Sequence, residues 1–426
     1  MRLSAICLFL LCATIVLASP YGFDWPDDDY AAFSLFQERF KRDYLSAEEA
    51  QSRFEIFQMN RRIAEYANKT DENAFYGITK FADLSQEEFQ QRYLTLKQSS
   101  PPSGEYYVPP TPTTNMVPLP PMWDWRKSLG VSMVTPVKNQ GSCGSCWAFS
   151  ACASAESFLM IHPKGNEEPN PYPDLDVNSL SPQAMVDCVP ASAGCQGCQG
   201  GLPTWAYMHM IRMGWGHPGW MQYPYKGTDR NPCLIKSKPA MAKKYKGYSD
   251  INPNFNWTQH DNSGITAEDY CAAVYRNSPL ATALDASGLQ WYVGGVISSS
   301  AFCSWRINHA VTSVGYEMFT GTIPEDKKHM FEAPQPNPIN WNMMVNIIKN
   351  SWGEDFGEEG YFRIWLTNHI YPINPNAKDW GLCGGSTVFY ADDEFILTLT
   401  SLEPFCFNDQ SLIFMMSKVI FVNYYY

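Results

Sequence analysis

The stretch QGSCGSCWAFS spans residues 140–150 and places Cys146 at the expected start of a helix. Residues 148–161 contain neither Gly nor Pro and are rich in Ala, Ser and bulky apolar side chains, so they predict a buried helix. The N-terminal end of a helix dipole favours a thiolate, which makes Cys146 a candidate nucleophile. Two other interpretations stay open for Cys143 and Cys146, a redox pair or two ordinary disulfide cysteines, but neither requires the motifs found downstream.

A thiolate nucleophile needs an imidazole partner, and the imidazole needs a group that orients it. The chain has seven histidines, and His309 opens a run with β-branched alternation over residues 309–316, which predicts a strand. Asn350 follows an apolar run and precedes a turn, which predicts a strand end beside a cleft. A neutral carboxamide can accept the imidazole N–H without neutralising an imidazolium. His309 alone would more often be structural, but the order Cys, His, Asn favours catalysis.

These motifs resemble those of the papain-like cysteine proteases, the family of papain and the lysosomal cathepsins, over residues 33–393. The resemblance implies that Cys146 is the nucleophile, that His309 is the general acid and base, and that Asn350 orients His309. It also implies an α+β fold with two halves and an active-site cleft between them. The helical half would carry Cys146, and a β-barrel-like half would carry His309 and Asn350. No cofactor and no metal are expected.

The same resemblance assigns two residues that support the reaction. Gln140 matches the glutamine whose side-chain N–H stabilises the oxyanion together with the Cys146 backbone N–H. Trp352 matches the tryptophan that shields the His–Asn pair from water, and packing in the core is compatible with that role. An alternative from another class is a catalytically silent relative that acts as a binding or inhibitory protein, but the intact catalytic set argues against it.

The resemblance also implies a pocket for the second substrate residue before the cut, the P2 residue. The predicted pocket residues are Leu202, Pro203, Ala283, Ala310 and, at the pocket floor, Val388, and the other predicted substrate-binding residues are Gly200, Gly201 and Trp352. Because the pocket side chains are apolar, burying Arg there would strand a charge, whereas Leu, Val or Phe would gain free energy of transfer. We therefore expect a preference for hydrophobic residues at P2.

Composition is consistent with a secreted hydrolase. The 426 residues are 45% hydrophobic and carry a net charge of −12 with no sustained basic run, so nucleic acid is not an expected partner. Arg2, an apolar run over residues 5–17 and small residues after it predict a signal peptide over residues 1–18. That run is too short to cross a bilayer. Entry into the secretory pathway makes disulfides the expected state of paired cysteines.

The chain contains 13 cysteines. The resemblance implies three disulfides, and their cysteines are Cys143 with Cys198, Cys188 with Cys233, and Cys303 with Cys383. Cys195 could compete with Cys198 for Cys143, because the two lie only three residues apart. The pairing of Cys152, Cys195, Cys271 and Cys406 stays open, including a bridge between Cys152 and Cys195, since sequence does not fix connectivity.

Residues 19–115 are predicted to be an inhibitory propeptide that acts on its own catalytic domain. Six residues spaced 4, 4, 3, 4 and 4 apart share one helical face: Glu49, Arg53, Phe57, Asn60, Ala64 and Asn68. They resemble the Glu-Arg-Phe-Asn-Ile-Asn propeptide pattern with Ala64 in place of Ile, and residues 77–83 (GITKFAD) match the second propeptide motif, as in the cathepsin F-like branch. A helical accessory domain is the alternative. Asp83 is expected to hold the propeptide in place until acid protonates it.

The predicted peptidase domain covers residues 116–393 and includes extra sequence at 164–174 and 317–342. No His-His pair marks an occluding loop, which favours an endopeptidase. Residues 394–426 form a tail of unknown role whose apolar end is too short for a membrane anchor. Asn256 lies in a glycosylation sequon. We expect a monomer in the lysosome or outside the cell, with protein or peptide substrates and cystatin-like inhibitors as partners.

Overall fold

The structure is a computed structural model, and it describes most of the predicted propeptide and catalytic regions. The described residues are 24–96, 119–161, 179–237, 247–250, 267–299, 302–303, 307–319, 321, 344–366 and 420–423. The predicted signal peptide, the extra sequence at 164–174, Asn256, Cys383, Val388 and Cys406 lie outside them. In the part of the chain that is described, no helix is long and apolar enough to cross a membrane.

The N-terminal region contains three helices and one strand: α1 (Asp29–Phe40), α2 (Ala47–Thr70), β1 (Ala74–Tyr76) and α3 (Gln86–Tyr93). Ser46 caps α2 by accepting a hydrogen bond from the backbone N–H of Glu49. Phenylalanine side chains from α1 and α2, among them Phe36 and Phe57 with ring centroids 5.3 Å apart, form a core of their own. This core holds the two helices together.

The polar residues on the predicted face of α2 hold the helix against residues 76–88. The Arg53 guanidinium donates to both carboxylate oxygens of Glu88. Asn60 Nδ2 donates to backbone carbonyls at 2.7 and 2.9 Å, and its Oδ1 accepts from the indole of Trp291 in the catalytic region. Asn68 pairs through both side-chain polar atoms with the backbone of Tyr76. The spacing therefore predicted a face that makes tertiary contacts.

The helical half of the catalytic region contains α4 (Cys146–Ile161), α5 (Pro182–Cys188) and α6 (Pro203–Met213). Almost every residue of α4 is buried, as expected for a helix that is apolar on all sides. The helix packs against both the other helices and the sheet. Its first residue is Cys146, so the prediction from residues 140–161 is confirmed in its boundaries.

Two of the three predicted disulfides form between described residues. Their pairs are Cys143–Cys198 and Cys188–Cys233. Cys303 is also disulfide-bonded, and its predicted partner Cys383 lies outside the described residues. Cys152, Cys195 and Cys271 are buried free thiols, so no bridge joins Cys152 to Cys195 and Cys195 does not displace Cys198.

The other half of the catalytic region is built on a twisted sheet. It comprises β2 (Trp123–Asp124), β3 (Gly247–Asp250), α7 (Ala267–Arg276), β4 (Leu280–Leu284), β5 (Tyr292–Ile297), β6 (His309–Met318), β7 (Met344–Lys349), β8 (Tyr361–Leu366) and β9 (Ile420–Asn423). The strand order is β1-β5-β8-β7-β6-β4-β9-β3, and β2 pairs with β6. Among the described residues the two ends of this order do not pair, so the predicted barrel-like half is an open sheet.

The N-terminal region contributes the edge strand of that sheet. β1 pairs with β5 in antiparallel fashion, with Ala74 opposite Gly295. A Cβ atom on Gly295 would lie 2.4 Å from the carbonyl oxygen of Asn73, and its φ is +84°, so glycine is required for this pairing. Asp71, just before β1, accepts hydrogen bonds from the backbone N–H groups of Ser298 and Ser299 at 2.9 and 3.0 Å. The N-terminal region is thus joined to the catalytic region by backbone contacts.

Candidate active site

The ends of three secondary-structure elements carry the candidate catalytic residues, and two of these residues, His309 and Asn350, are in contact. Cys146 is the first residue of α4, His309 is the first residue of β6, and Asn350 directly follows β7. Because β6 and β7 are antiparallel neighbours, the start of one lies beside the end of the other. His309 Nε2 lies 2.8 Å from Asn350 Oδ1, so the imidazole N–H donates to the carboxamide as the sequence predicted.

Burial keeps both candidate reacting groups uncharged in this structure. It raises the pKa of the Cys146 thiol to about 12, although backbone contacts from Ala310, Trp147 and Cys146 itself oppose the shift. It lowers the pKa of the His309 imidazole to about 4, although the hydrogen bond to Asn350 and the backbone of Tyr93 oppose that shift. A neutral thiol and a neutral imidazole therefore lie under the cover of the N-terminal region.

Trp352 covers the His–Asn pair. Its indole stacks on the imidazole of His309 with ring centroids 4.6 Å apart, and it is fully buried. Three aromatic residues of the N-terminal region pack edge-on against the indole: Phe81 at 5.4 Å, Phe89 at 5.5 Å and Tyr93 at 6.1 Å. The predicted shielding of His309 by Trp352 is present in the geometry, and the N-terminal region shields Trp352 in turn.

The carboxamide of Gln140 is fixed on both sides. Its Nε2 donates to the carbonyl of Cys143 at 3.1 Å, and its Oε1 accepts from the Ser351 hydroxyl at 2.6 Å. Tyr225 donates to the backbone carbonyl of Gln140 at 2.8 Å and also contacts Ser145. These contacts hold the amide beside the loop that leads to Cys146. Sequence reasoning missed Ser351 and Tyr225, which lie far from Gln140 along the chain.

The last described residues of the N-terminal region enter the cleft. Leu96 donates its backbone N–H to the carbonyl of Asn308, the residue before His309, at 3.0 Å. The side chain of Thr95 crosses Gly144, where an added Cβ would lie 1.9 Å from the Thr95 hydroxyl oxygen. Only glycine at that position permits so close an approach. The chain therefore passes directly over the loop before Cys146.

The predicted P2 pocket is partly described. Leu202, Pro203, Ala283 and Ala310 are all buried, and the two glycines before Leu202 are buried as well. The side chain of Leu96 belongs to the same apolar cluster as Cys146, Leu202, Ala283 and Ala310. A leucine of the chain itself thus packs among the residues that sequence reasoning assigned to this pocket.

A buried charge network beneath the cleft escaped the sequence analysis. Lys138 Nζ lies 2.8 Å from Glu156 Oε2, and Lys349 Nζ donates to the carbonyl of Thr135 at 2.6 Å. Burial lowers the pKa of Lys349 to about 7. Burial raises the pKa of Glu156, but the charges of Lys138 and Lys349 outweigh it and the net shift is downward. Single charges inside apolar runs, Glu156 in α4 and Lys349 in β7, were the signal that could have revealed this network.

A second cysteine lies close to a histidine. Cys152 Sγ is 3.9 Å from His217 Nε2, and the same nitrogen lies 2.8 Å from the carbonyl of Ser181. Both side chains are buried in the helical half. Burial raises the pKa of Cys152 and lowers that of His217 to about 4, so this pair is uncharged as well. Sequence reasoning did not single out His217.

Comparisons with known proteins agree with this geometry. The pattern of the papain family cysteine proteases matches residues 119–378, and that of the cathepsin propeptide inhibitor domain (I29) matches residues 33–89. The probable cysteine protease RD19B of Arabidopsis thaliana is 35% identical over 350 residues, which cover 80% of this chain and 84% of that protein. Cathepsin F of Mus musculus is 34% identical over 350 residues, covering 81% of this chain and 63% of that protein.

A solved structure shows the same arrangement of an inhibitor domain and a catalytic domain. The digestive procathepsin L 3 of the Tenebrio molitor larval midgut superposes with a TM-score of 0.60 at 26% identity, covering 84% of this chain and 97% of that one. The matched patterns, the relatives and the fold agree with each other. The chain belongs to the papain family of cysteine proteases and carries a cathepsin-type propeptide domain.

Proposed function

We propose that the chain is the zymogen of a cysteine endopeptidase whose nucleophile is Cys146. The observation that carries the proposal is the hydrogen bond from His309 to Asn350, which lie at the adjacent ends of the neighbouring strands β6 and β7. In the open enzyme, the Cys146 thiolate attacks the scissile carbonyl, and the Cys146 N–H together with Gln140 stabilises the oxyanion. His309 then protonates the leaving amine, and it later deprotonates the water that releases the acyl group.

An activity measurement tests this proposal against the alternative of a silent binding protein. Acid-treated protein should hydrolyse fluorogenic peptides, and an epoxide directed at active-site thiols should label Cys146 and stop the hydrolysis. Absence of both turnover and labelling after removal of the propeptide would favour the silent relative.

Residues 19–115 act in this proposal as an intramolecular inhibitor. Support comes from the pairing of β1 with β5, the aromatic packing on Trp352 and the passage of Leu96 through the cleft. Removal of residues 1–18 and later cleavage near residue 115 would yield a monomeric enzyme in the lysosome or outside the cell. Cystatin-like inhibitors would bind the same open cleft.

The direction of the pKa shift of Asp83 argues against the role in acid release that the sequence suggested for it. Asp83 accepts from Tyr44 and pairs with Arg42 within the propeptide, and burial raises its pKa. A carboxyl whose pKa is higher in the folded state takes up protons on folding. Protonation of Asp83 in acid therefore stabilises the folded propeptide. The pKa of Glu88 shifts in the opposite direction, because its hydrogen bond to Arg53 lowers it. The stability from Glu88 is present above the ordinary pKa of Glu and is lost as the pH falls through the lowered one.

We expect Glu88→Gln to let the zymogen convert at neutral pH, because it removes the ion pair with Arg53 at every pH. Asp83→Asn removes a carboxylate whose pKa shifts in the opposite direction, and it should not allow conversion at neutral pH. The measurement is the pH at which half of the precursor converts within a fixed time, followed by gel electrophoresis. An Asp83→Asn zymogen that converts at pH 7 beside a Glu88→Gln zymogen that still requires acid would contradict this assignment.

Specificity at P2 should favour Leu over Arg. The pocket residues are apolar and buried, and Leu96 occupies their cluster in the zymogen. Burying a leucine side chain gains about 1.5–3 kcal/mol, which corresponds to about 10- to 150-fold, whereas arginine would leave an unpaired charge. The values of kcat/KM for peptides that differ only in Leu or Arg at P2 measure the ratio. Equal values, or a preference for Arg, would refute the assigned pocket.

A further inference from the structure

A lysine of the propeptide occupies a polar notch beside the active site. Lys80 Nζ donates to the backbone carbonyl of Trp352 and to Asp355 Oδ1, the latter at 2.5 Å. The Lys80 side chain is 13% exposed, whereas that of Asp355 is 56% exposed even with the lysine in place. Removal of the propeptide would therefore leave both acceptors facing solvent.

The notch lies on the side of the cleft that receives the leaving group. His309 must protonate the leaving amine, so the substrate residues after the cut lie on its side of Cys146. Trp352 stacks on His309 and forms the wall over which those residues must pass. The same wall connects to the oxyanion side, because Asn139 bridges to Trp352 and Gln140 N–H donates to Ser351.

The notch is also separate from the P2 pocket. Leu96 and the pocket residues form one apolar cluster with Cys146, whereas Trp352 belongs to a second cluster that contains Phe81 and Phe89. Lys80 precedes Phe81, whose ring packs edge-on against Trp352. The propeptide thus covers the P2 pocket with a leucine and the leaving-group side with a lysine next to an aromatic ring.

We propose that the mature enzyme has a cation subsite on the leaving-group side of the cut, formed by the Asp355 carboxylate and the Trp352 carbonyl. The proposal rests on the proposed function and adds a substrate class to it: peptides with Lys or Arg after the scissile bond. Lys80 takes the place of that substrate residue in the zymogen. A carboxylate and a carbonyl together match an ammonium group, which has donors and no acceptor.

Internally quenched peptides test the subsite in the acid-activated enzyme. All carry Leu at P2, and lysine or norleucine is placed in turn at each of the first three positions after the cut. We expect lysine to raise kcat/KM about threefold to fivefold over norleucine at one of these positions, the upper range for an ion pair with an exposed carboxylate. The ratio should fall in 1 M salt, because Asp355 is exposed.

Two variants of Asp355 and one neighbour complete the test. Asp355→Asn should bring the lysine-to-norleucine ratio close to one, and Asp355→Lys should create a preference for glutamate over norleucine. Glu354→Gln is the matched control, since Glu354 is the exposed acidic neighbour, and it should keep the ratio. A ratio of one at all three positions, or a ratio unchanged in Asp355→Asn, overturns the subsite alone. Hydrolysis of none of the peptides overturns the proposed function together with the subsite.

Discussion

Replacing Cys146 by serine should lower kcat/KM of the processed enzyme by at least about 10⁴-fold. Serine keeps the position of the reacting atom, but its hydroxyl does not ionise near neutral pH, so the variant lacks the anionic nucleophile that the thiolate provides. His309→Ala should cause a loss of similar size, because it removes the group that protonates the leaving amine. Asn350→Ala should lower kcat/KM less. It removes the 2.8 Å hydrogen bond that orients the imidazole, but it removes no reacting atom.

The matched control is the second cysteine that lies beside a histidine. Cys152→Ala removes the thiol near His217, and it should leave turnover close to that of the unsubstituted enzyme because this pair is buried within the helical half. Each variant should be processed from its zymogen by an added protease, so that self-processing does not enter the comparison. Retained turnover in Cys146→Ser, or loss of turnover in Cys152→Ala with intact folding, would move the nucleophile away from Cys146.

The candidate catalytic groups were accessible to sequence reasoning because each one lies at the end of a regular element. Cys146 follows a Gly-Ser turn and opens an apolar helix, and Asn350 follows an apolar strand, so local periodicity alone places both at element ends. The helical face of the propeptide could be predicted equally well, because the spacing of its residues is a local property of the sequence. Arg53 and Asn60 on this face of α2 both make tertiary contacts.

Charge interactions between residues that are far apart in the chain could not be predicted from the sequence in the same way. Asp83 was expected to hold the propeptide in place until acid protonates it, but burial raises its pKa and so reverses the sign of that linkage. The network of Lys138, Glu156 and Lys349 joins a loop, a helix and a strand that are far apart in the chain. A single charge inside an apolar run indicates a buried charge, but its partner depends on which surfaces meet, and the local pattern does not encode that.

The identity of the strands at the edges of the sheet was not predicted, for a related reason. Strand alternation predicts which face of a strand is buried, but it does not state which strands pair at the edges. One edge here is occupied by β1 from the propeptide region, whose pairing with β5 depends on Gly295. The notch around Asp355 was missed as well, because Lys80 and Asp355 lie 275 residues apart.

Removal of the propeptide should raise the alkylation rate of Cys146 at pH 6 by at least about 10³-fold. Burial raises the pKa of the Cys146 thiol to about 12, whereas an ordinary cysteine has a pKa of about 8.5. The ionised fraction of Cys146 at pH 6 is therefore expected to be lower by about three orders of magnitude while the cleft is covered. Uncovering the cleft restores solvent to the thiol and to His309, and pairing with a protonated His309 increases the thiolate population further.

Iodoacetamide labelling followed by mass spectrometry of the Cys146 peptide measures this change, with intact zymogen and processed enzyme compared under the same conditions. Cys152, Cys195 and Cys271 are buried free thiols in the same chain and serve as internal controls, which should label slowly in both forms. The labelling of the processed enzyme should also persist at pH values well below the ordinary thiol pKa, because the thiolate is then paired with imidazolium. Equal rates for Cys146 in the two forms would mean that the propeptide blocks substrate without suppressing the thiolate, and the account of a neutral, covered Cys146–His309 pair would be wrong.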